Sequence, residues 1–152
     1  DHRVAGIALN GSGDAMQVLL HRAETDDFWA LPGGRVELLE SSTEALCREM
    51  HEELEVEVQV KRLVWIVENF FQYQGRDHHE LGLYYLISLP QPCPLRAQAE
   101  FFGDEQGLRL IFRWFPLSHL PQLRLYPTFL REGLQALPAS ITHIVHTDPP
   151  SD

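Results

Sequence analysis

Residues Gly33–Val56 read GGRVELLESSTEALCREMHEELEV, and the fold turns on this stretch. Leu31-Pro32-Gly33-Gly34 breaks the chain sharply just before it. At Ser41 the pattern turns helical: Ser41 and Glu44 form a capping-box signature, and Ala45, Leu46, Met50 and Leu54 recur at helical spacing. The spacing predicts a helix from about Ser42 to Glu55. On it, Glu49, Glu52 and Glu53 fall at i, i+3 and i+4, within an arc of about 100°. Leu46, Cys47, Met50 and Leu54 fill the neighbouring arc, so the helix buries one stripe and carries the carboxylates along its edge. Three like charges so close repel one another unless a cation sits between them. Carboxylate oxygens suit a hard divalent ion, magnesium first and manganese as its substitute.

A bare glutamate triplet on a helix is ordinarily a solvated face. Its surroundings argue otherwise. From Gly34 there are five residues to Glu40, then seven to Arg48, followed by Glu49, Met50, Glu52, Glu53 and the apolar Val56. Six fixed residues at fixed offsets coincide by chance on the order of 10⁻⁷ to 10⁻⁸ per starting point. The pattern resembles the Nudix box of the Nudix hydrolases. It departs from it at Glu55, where that family usually has glycine, a residue suited to the left-handed exit of a helix.

The resemblance implies a loop-helix-loop platform on an α/β/α sandwich that holds divalent metal against a diphosphate. Carried over residue by residue, it implies Glu49, Glu52 and Glu53 as metal ligands, with the carbonyl of Gly33 as a further one. Arg48 would pair with Glu40 and hold the carboxylates in orientation, with Gly34 supporting the site. Water activated by metal or by a carboxylate base would attack phosphorus in line. The family often adds an acidic residue from outside the box. Glu100, Asp104 and Glu105 are the local choices, and Glu105 is the one selected here, against the competing reading of a solvated loop charge.

Outward from the box, Arg3 to Leu9 and Met16 to His21 read as strands joined by a hairpin turn at Asn10–Asp14. Val56 to Tyr73 and His79 to Leu89 read as paired long strands, and Leu110 to Leu117 as another. Pro90 to Leu108 lacks a steady period and reads as a long loop. Pro127 to Leu137 carries Phe129, Leu130, Leu134 and Leu137 at helical spacing, which predicts a second helix. From Ile141 a short strand fits, and residues 148–152 read as a frayed tail after a single domain over 1–147. The expected class is α+β, a mixed sheet between helices.

The chain has 152 residues, 44% of them hydrophobic, enough for one domain with its own core. Its net charge of -10, with basic residues scattered, argues against binding a nucleic-acid polymer. Cys47 and Cys93 show no disulfide or zinc spacing, and a reducing, cytoplasmic setting is expected. No apolar run reaches the roughly 18 residues of a membrane span, no charged-then-apolar leader opens the chain, and dimerisation is left open.

Aromatic residues flank the box. Phe28 and Trp29 precede it, while Phe70, Phe71 and Tyr73 end the strand that follows, so a base could stack there, with core packing as the competing reading. Trp29, Arg35, Phe71 and Tyr73 are taken as substrate-binding candidates. Tyr73 stands near the position where a tyrosine occurs in Nudix enzymes similar to dinucleoside polyphosphate hydrolases. The consecutive His78-His79-Glu80 on a strand point to alternating faces and make no zinc site. The function implied is metal-dependent hydrolysis of a diphosphate bond in a small nucleotide. The alternative is a catalytically silent nucleotide-binding sensor on the same fold. A passive calcium-binding domain is more remote, since no EF-hand loop is present.

Overall fold

The computed structural model describes residues 1–150. Strand β1 (His2–Asn10) runs through the middle of an eight-stranded mixed sheet. Around it lie β2 (Gln17–Ala23), β3 (Gly33–Arg35), β4 (Gln59–Tyr73), β5 (Arg76–Ser88), β6 (Glu100–Glu105), β7 (Leu108–Pro116) and β8 (Thr142–Thr147). The strand order is β6-β7-β2-β1-β5-β4-β8, with β3 pairing β1. One end of β1 pairs β3 antiparallel (Val4 opposite Gly34) and the other pairs β2 (Leu9 opposite Val18). Its opposite edge lies parallel to β5 along most of its length. β3 therefore hangs the start of the box directly on the central strand.

Helix α1 (Ser42–Leu54) covers one face of the sheet. It begins as the sequence dictates: Ser41 Oγ accepts from Glu44 N–H at 3.1 Å, and Glu44 Oε1 accepts from Ser41 N–H at 3.2 Å. Ala45, Leu46 and Met50 are fully buried against Val4, Ala8, Leu19, Ile87 and Phe112. Removing a side chain such as Leu46 from this contact typically costs about 2–5 kcal/mol. The helix ends at Glu55, whose φ of 56° and ψ of 34° are left-handed. The position keeps the conformation for which glycine is suited, and the chain adopts it with glutamate.

The opposite face is covered by a 3-10 segment (Leu117–Gln122) and by α2 (Leu130–Gly133), with Leu120, Leu125, Leu130 and Leu134 buried over Ile7, Val64, Trp65 and Val67. The second helix expected over 127–137 is thus a single turn. Its apolar spacing survives as burial, but the helix stops at Gly133, a poor helix former held there because a Cβ would stand 3.2 Å from the Trp65 ring.

The long loop expected over 90–108 is also corrected: it contains a 3-10 turn (Pro94–Ala97) and strand β6. β6 is an edge strand. It buries Phe101, stacked 5.7 Å from Phe112, and points charge outward, with Glu100 bonded to Arg113. Edge strands bearing charges resemble loops in sequence.

β8 pairs parallel with β4, as a strand after Ile141 would. Asp148, which the sequence placed in a frayed tail, is buried instead. Its N–H donates to Phe70 O, and its carboxylate accepts from Thr128 Oγ1 and Thr128 N–H and lies 3.0 Å from His146 Nε2. Residues 151 and 152 of that tail lie outside the described residues. Among the described residues no helix is long and apolar enough to cross a membrane.

Candidate active site

Arg48 organises the edge of α1. Its Nε and Nη2 donate to the two oxygens of Glu40 at 2.7 and 3.0 Å, Nη1 donates to Glu49 Oε1 at 2.9 Å, and Nη2 also reaches Arg35 O at 3.1 Å. One planar guanidinium thereby ties the loop, β3 and the helix together. The bonded Arg48 holds the Glu40 carboxyl below the usual carboxylate range, and Glu40 in turn raises Arg48. Between Glu37 and Glu40 the loop turns outward, exposing Leu38 and Leu39, with Leu39 at φ 66°.

Glu49, Glu53 and Glu105 converge: each offers one carboxylate oxygen, and these atoms lie within 4.8 Å of one another. Two glycines permit the approach. A Cβ on Gly34 would stand 2.6 Å from both Glu49 oxygens, and one on Gly103 would stand 2.6 Å from Glu53 O. Gly103 lets β6 pass against the end of α1, and the β6–β7 hairpin then delivers Glu105. Glu53 is 5% exposed, and neither of its oxygens has a hydrogen-bond partner. Burial first, then the neighbouring Glu49 and Glu105, push its pKa up to about 9. Burial likewise raises Glu49, against the opposing effect of Arg48.

A buried, unpartnered carboxyl beside two more carboxylates is costly in itself. The all-oxygen donor set fits a hard divalent cation, which would satisfy the orphaned oxygens and offset the repulsion. Glu52 does not join this cluster. Its side chain is 57% exposed and turns to Arg48 Nη1 at 3.3 Å.

Gly33, Gly34 and Arg35 also border a cleft of about 440 Å³ on the other face of the sheet. Phe28, Phe71, Tyr73 and Tyr126 supply aromatic walls, with Phe28 edge-on to Tyr73 (6.2 Å) and Tyr126 (5.7 Å). Phe71 stacks on His78 at 5.1 Å. Of the four substrate-binding candidates, Arg35, Phe71 and Tyr73 therefore border the cleft. Trp29 does not: it is buried edge-on against Phe115 at 4.7 Å, with Arg22 and Arg113 over its ring.

Sequence reasoning missed the polar groups inside the cleft, among them His21, Asn69, Glu80, Tyr84 and Asp148. One signal was legible. Val67, Asn69 and Phe71 share one face of β4, and a polar residue on an otherwise apolar core-facing row is unusual.

The carboxylate cluster at the helix edge could hold a cation, and the aromatic cleft has the size of a small-molecule site. The NUDIX domain family matches residues 1–137, and the chain belongs to that family. Its fold is similar to that of UDP-X diphosphatase (TM-score 0.60, 22% identity, 88% of this chain and 59% of that one). It is also similar to an ADP-ribose pyrophosphatase from Streptococcus suis 89-1591 (TM-score 0.57, 18% identity, 93% and 98%). A third likeness is to a C. elegans Ap4A hydrolase (TM-score 0.62, 15% identity, 88% and 92%). The present chain spans only 59% of the first of these. At such identities the likeness is one of fold. No curated protein matches the chain by sequence.

Proposed function

We propose that this chain is a divalent-metal-dependent pyrophosphohydrolase. It would cleave a phosphoanhydride bond in a nucleoside diphosphate linked to a further group: a nucleoside triphosphate, a nucleotide sugar or a dinucleoside polyphosphate. The observation that carries the reading is Glu53, buried and unpartnered between Glu49 and Glu105, with Glu49 packed against Gly34, which borders the cleft.

Glu49, Glu53 and Glu105 would hold magnesium, or manganese in its place, with the Gly33 carbonyl as a further oxygen ligand. The bound ion supplies a lowered pKa to water and neutralises charge on the phosphate oxygens. Arg48 holds Glu49 in orientation through the Glu40 pair, and Arg35 meets phosphate at the cleft edge. Phe28, Phe71, Tyr73 and Tyr126 stack against the organic part of the substrate. In the reaction, the water oxygen bonds to phosphorus as the bond to the bridging oxygen breaks. The water proton passes to a carboxylate that solvent reaches, Glu52 or Glu105, and the released phosphate leaves with the electron pair of the broken bond.

The net charge of -10 disfavours a nucleic-acid polymer as substrate, and the unbridged Cys47 and Cys93 go with a reducing, cytoplasmic setting.

The test is phosphate or nucleotide release from nucleoside triphosphates, nucleotide sugars and dinucleoside polyphosphates, with magnesium or manganese, for the intact chain and Glu53→Gln. Metal-dependent turnover that falls by about 10²-fold or more in the variant supports the reading. Absence of turnover, with nucleotide binding indifferent to Glu53→Gln, favours the silent sensor instead.

A further inference from the structure

The cleft floor carries a second feature, away from the carboxylates. Asn69 on β4 is 8% exposed, borders the cleft, and its Oδ1 has no hydrogen-bond partner. On the adjacent strand β5, Tyr84 is also buried and borders the same cleft. Gly82 lies between Glu80 and Tyr84 on that strand and makes room for the tyrosine, since a Cβ there would stand 2.8 Å from its ring.

An amide buried without a partner is destabilising unless something completes it, and a native core seldom keeps one without a purpose. The Thr128–His146–Asp148 group nearby is already bonded internally and leaves Asn69 alone. Phe28, Phe71, Tyr73 and Tyr126 border the same cleft, so a planar ring packed on an aromatic face there can turn its edge toward the amide.

A primary amide presents one acceptor and two donors in a plane. It therefore pairs with a heterocycle edge that offers a donor next to an acceptor, the way asparagine reads adenine. A half-turn of the amide brings either heteroatom to face the ligand. A carboxylate-only pocket would favour cations or bare donors; Asn69 favours a neutral edge of mixed polarity.

We propose that Asn69 is the specificity-determining residue of the cleft, reading the donor-acceptor edge of a nucleobase whose ring packs on the cleft's aromatic side chains, with Tyr84 bordering the same cleft. The inference rests on the nucleotide reading of the site and adds which end of the cleft takes the base.

The experiment measures binding of AMP, GMP, CMP and UMP by calorimetry, and separately kcat/KM on the matching nucleoside triphosphates. It uses the intact chain, Asn69→Leu, Asn69→Asp and Tyr84→Phe, each checked for an intact melting transition. The expected result is a base preference in the intact chain that Asn69→Leu flattens, with affinity for the preferred monophosphate falling about tenfold or more. Asn69→Asp, now an acceptor only, shifts the preference toward the paired donors of guanine. Tyr84→Phe keeps the preference and serves if Asn69→Leu does not fold, with Asn69→Asp alone carrying the comparison. Failure of every monophosphate to bind the intact chain, or an unchanged preference in both Asn69 variants, overturns the inference. Turnover that survives with its base ranking intact in Asn69→Leu sinks it while leaving hydrolysis standing. Base-selective binding without turnover does the reverse.

Discussion

A Cβ on Gly34 would stand 2.6 Å from both carboxylate oxygens of Glu49, so the backbone of β3 and a side chain of α1 occupy contiguous space with no margin for a methyl group. Gly34→Ala forces Glu49 aside, since β3 is pinned to β1 by Val4 opposite Gly34. The expected outcome is weaker manganese binding, by about tenfold or more, in a chain that still melts cooperatively. Unchanged affinity in a manganese titration contradicts this.

Arg48→Lys keeps the charge and loses the fork. A lysine cannot hold Glu40 with two parallel bonds while reaching Glu49 and the Arg35 carbonyl. The variant should lose turnover by about 10-fold to 100-fold, chiefly in kcat, and its loss should be shared by Glu40→Gln. Because the two act as one unit, the double variant should be little worse than either alone, which a double-mutant cycle on kcat measures.

Glu53→Gln separates stability from metal affinity. Glu53 already holds its proton up to about pH 9 in the metal-free chain, so at pH 7 the amide replaces a group that is neutral in any case. The metal-free melting temperature should move by no more than about 2 °C. In the intact chain, metal at a hundredfold excess over Kd adds about 2.7 kcal/mol, and the variant should lose most of that shift. A metal-induced shift of equal size in both proteins removes Glu53 from the ligand set.

Glu55→Gly should stabilise. The residue sits at φ 56°, where a side chain costs about 1–2 kcal/mol and glycine costs nothing sterically. Glycine gives back about half of that through the freedom of the unfolded chain. A rise of about 1–3 °C in melting temperature is expected, with turnover unchanged.

His21 governs part of the acid limb of stability. It lies 5.2 Å from the Phe112 ring with Nδ1 unpartnered, and burial, then Arg3, lowers its pKa from 6.5 to about 4. A histidine kept neutral in the fold takes its proton first in the unfolded chain. Its contribution is fully present above 6.5 and is lost as pH falls from there through about 4, with a ceiling of about 3 kcal/mol. Denaturant melts at pH 7 and pH 4.5 should differ less in His21→Leu than in the intact chain.

What could be read from the sequence was whatever local rules enforce. The capping box at Ser41 and Glu44, the apolar stripe of α1 and the carboxylate edge are statements about residues three or four apart, and the structure keeps all of them. Glu105 is different: only the pairing of β6 with β7, and the glycine at 103, bring it to Glu49 and Glu53. Its selection came from the resemblance. Trp29 shows the converse failure, since an aromatic beside the box packs as well into a core as onto a ligand, and its neighbour Phe28 took the cleft position. Asn69 is visible in sequence only as a polar break in an apolar row, and its meaning needs the cleft around it. β6 was hidden by its own edge charges, and the helix over 127–137 was overstated because burial of leucines does not require that the backbone stay helical.

The central position of β1 also governs the order in which the molecule is made. Within the domain β1 is made well before its long parallel neighbour β5, which ends only at Ser88. Until β5 has been made, Ile7 and Ala8 lack their parallel partners Leu86 and Ile87, and the floor under Leu46 and Met50 lacks Ile87. Assembly is therefore late and concerted, dominated by contacts between distant parts of the chain, with a slow collapse as its signature. In the interval the β5-facing edge of β1 is open, and an open apolar edge is the feature most exposed to aggregation during folding.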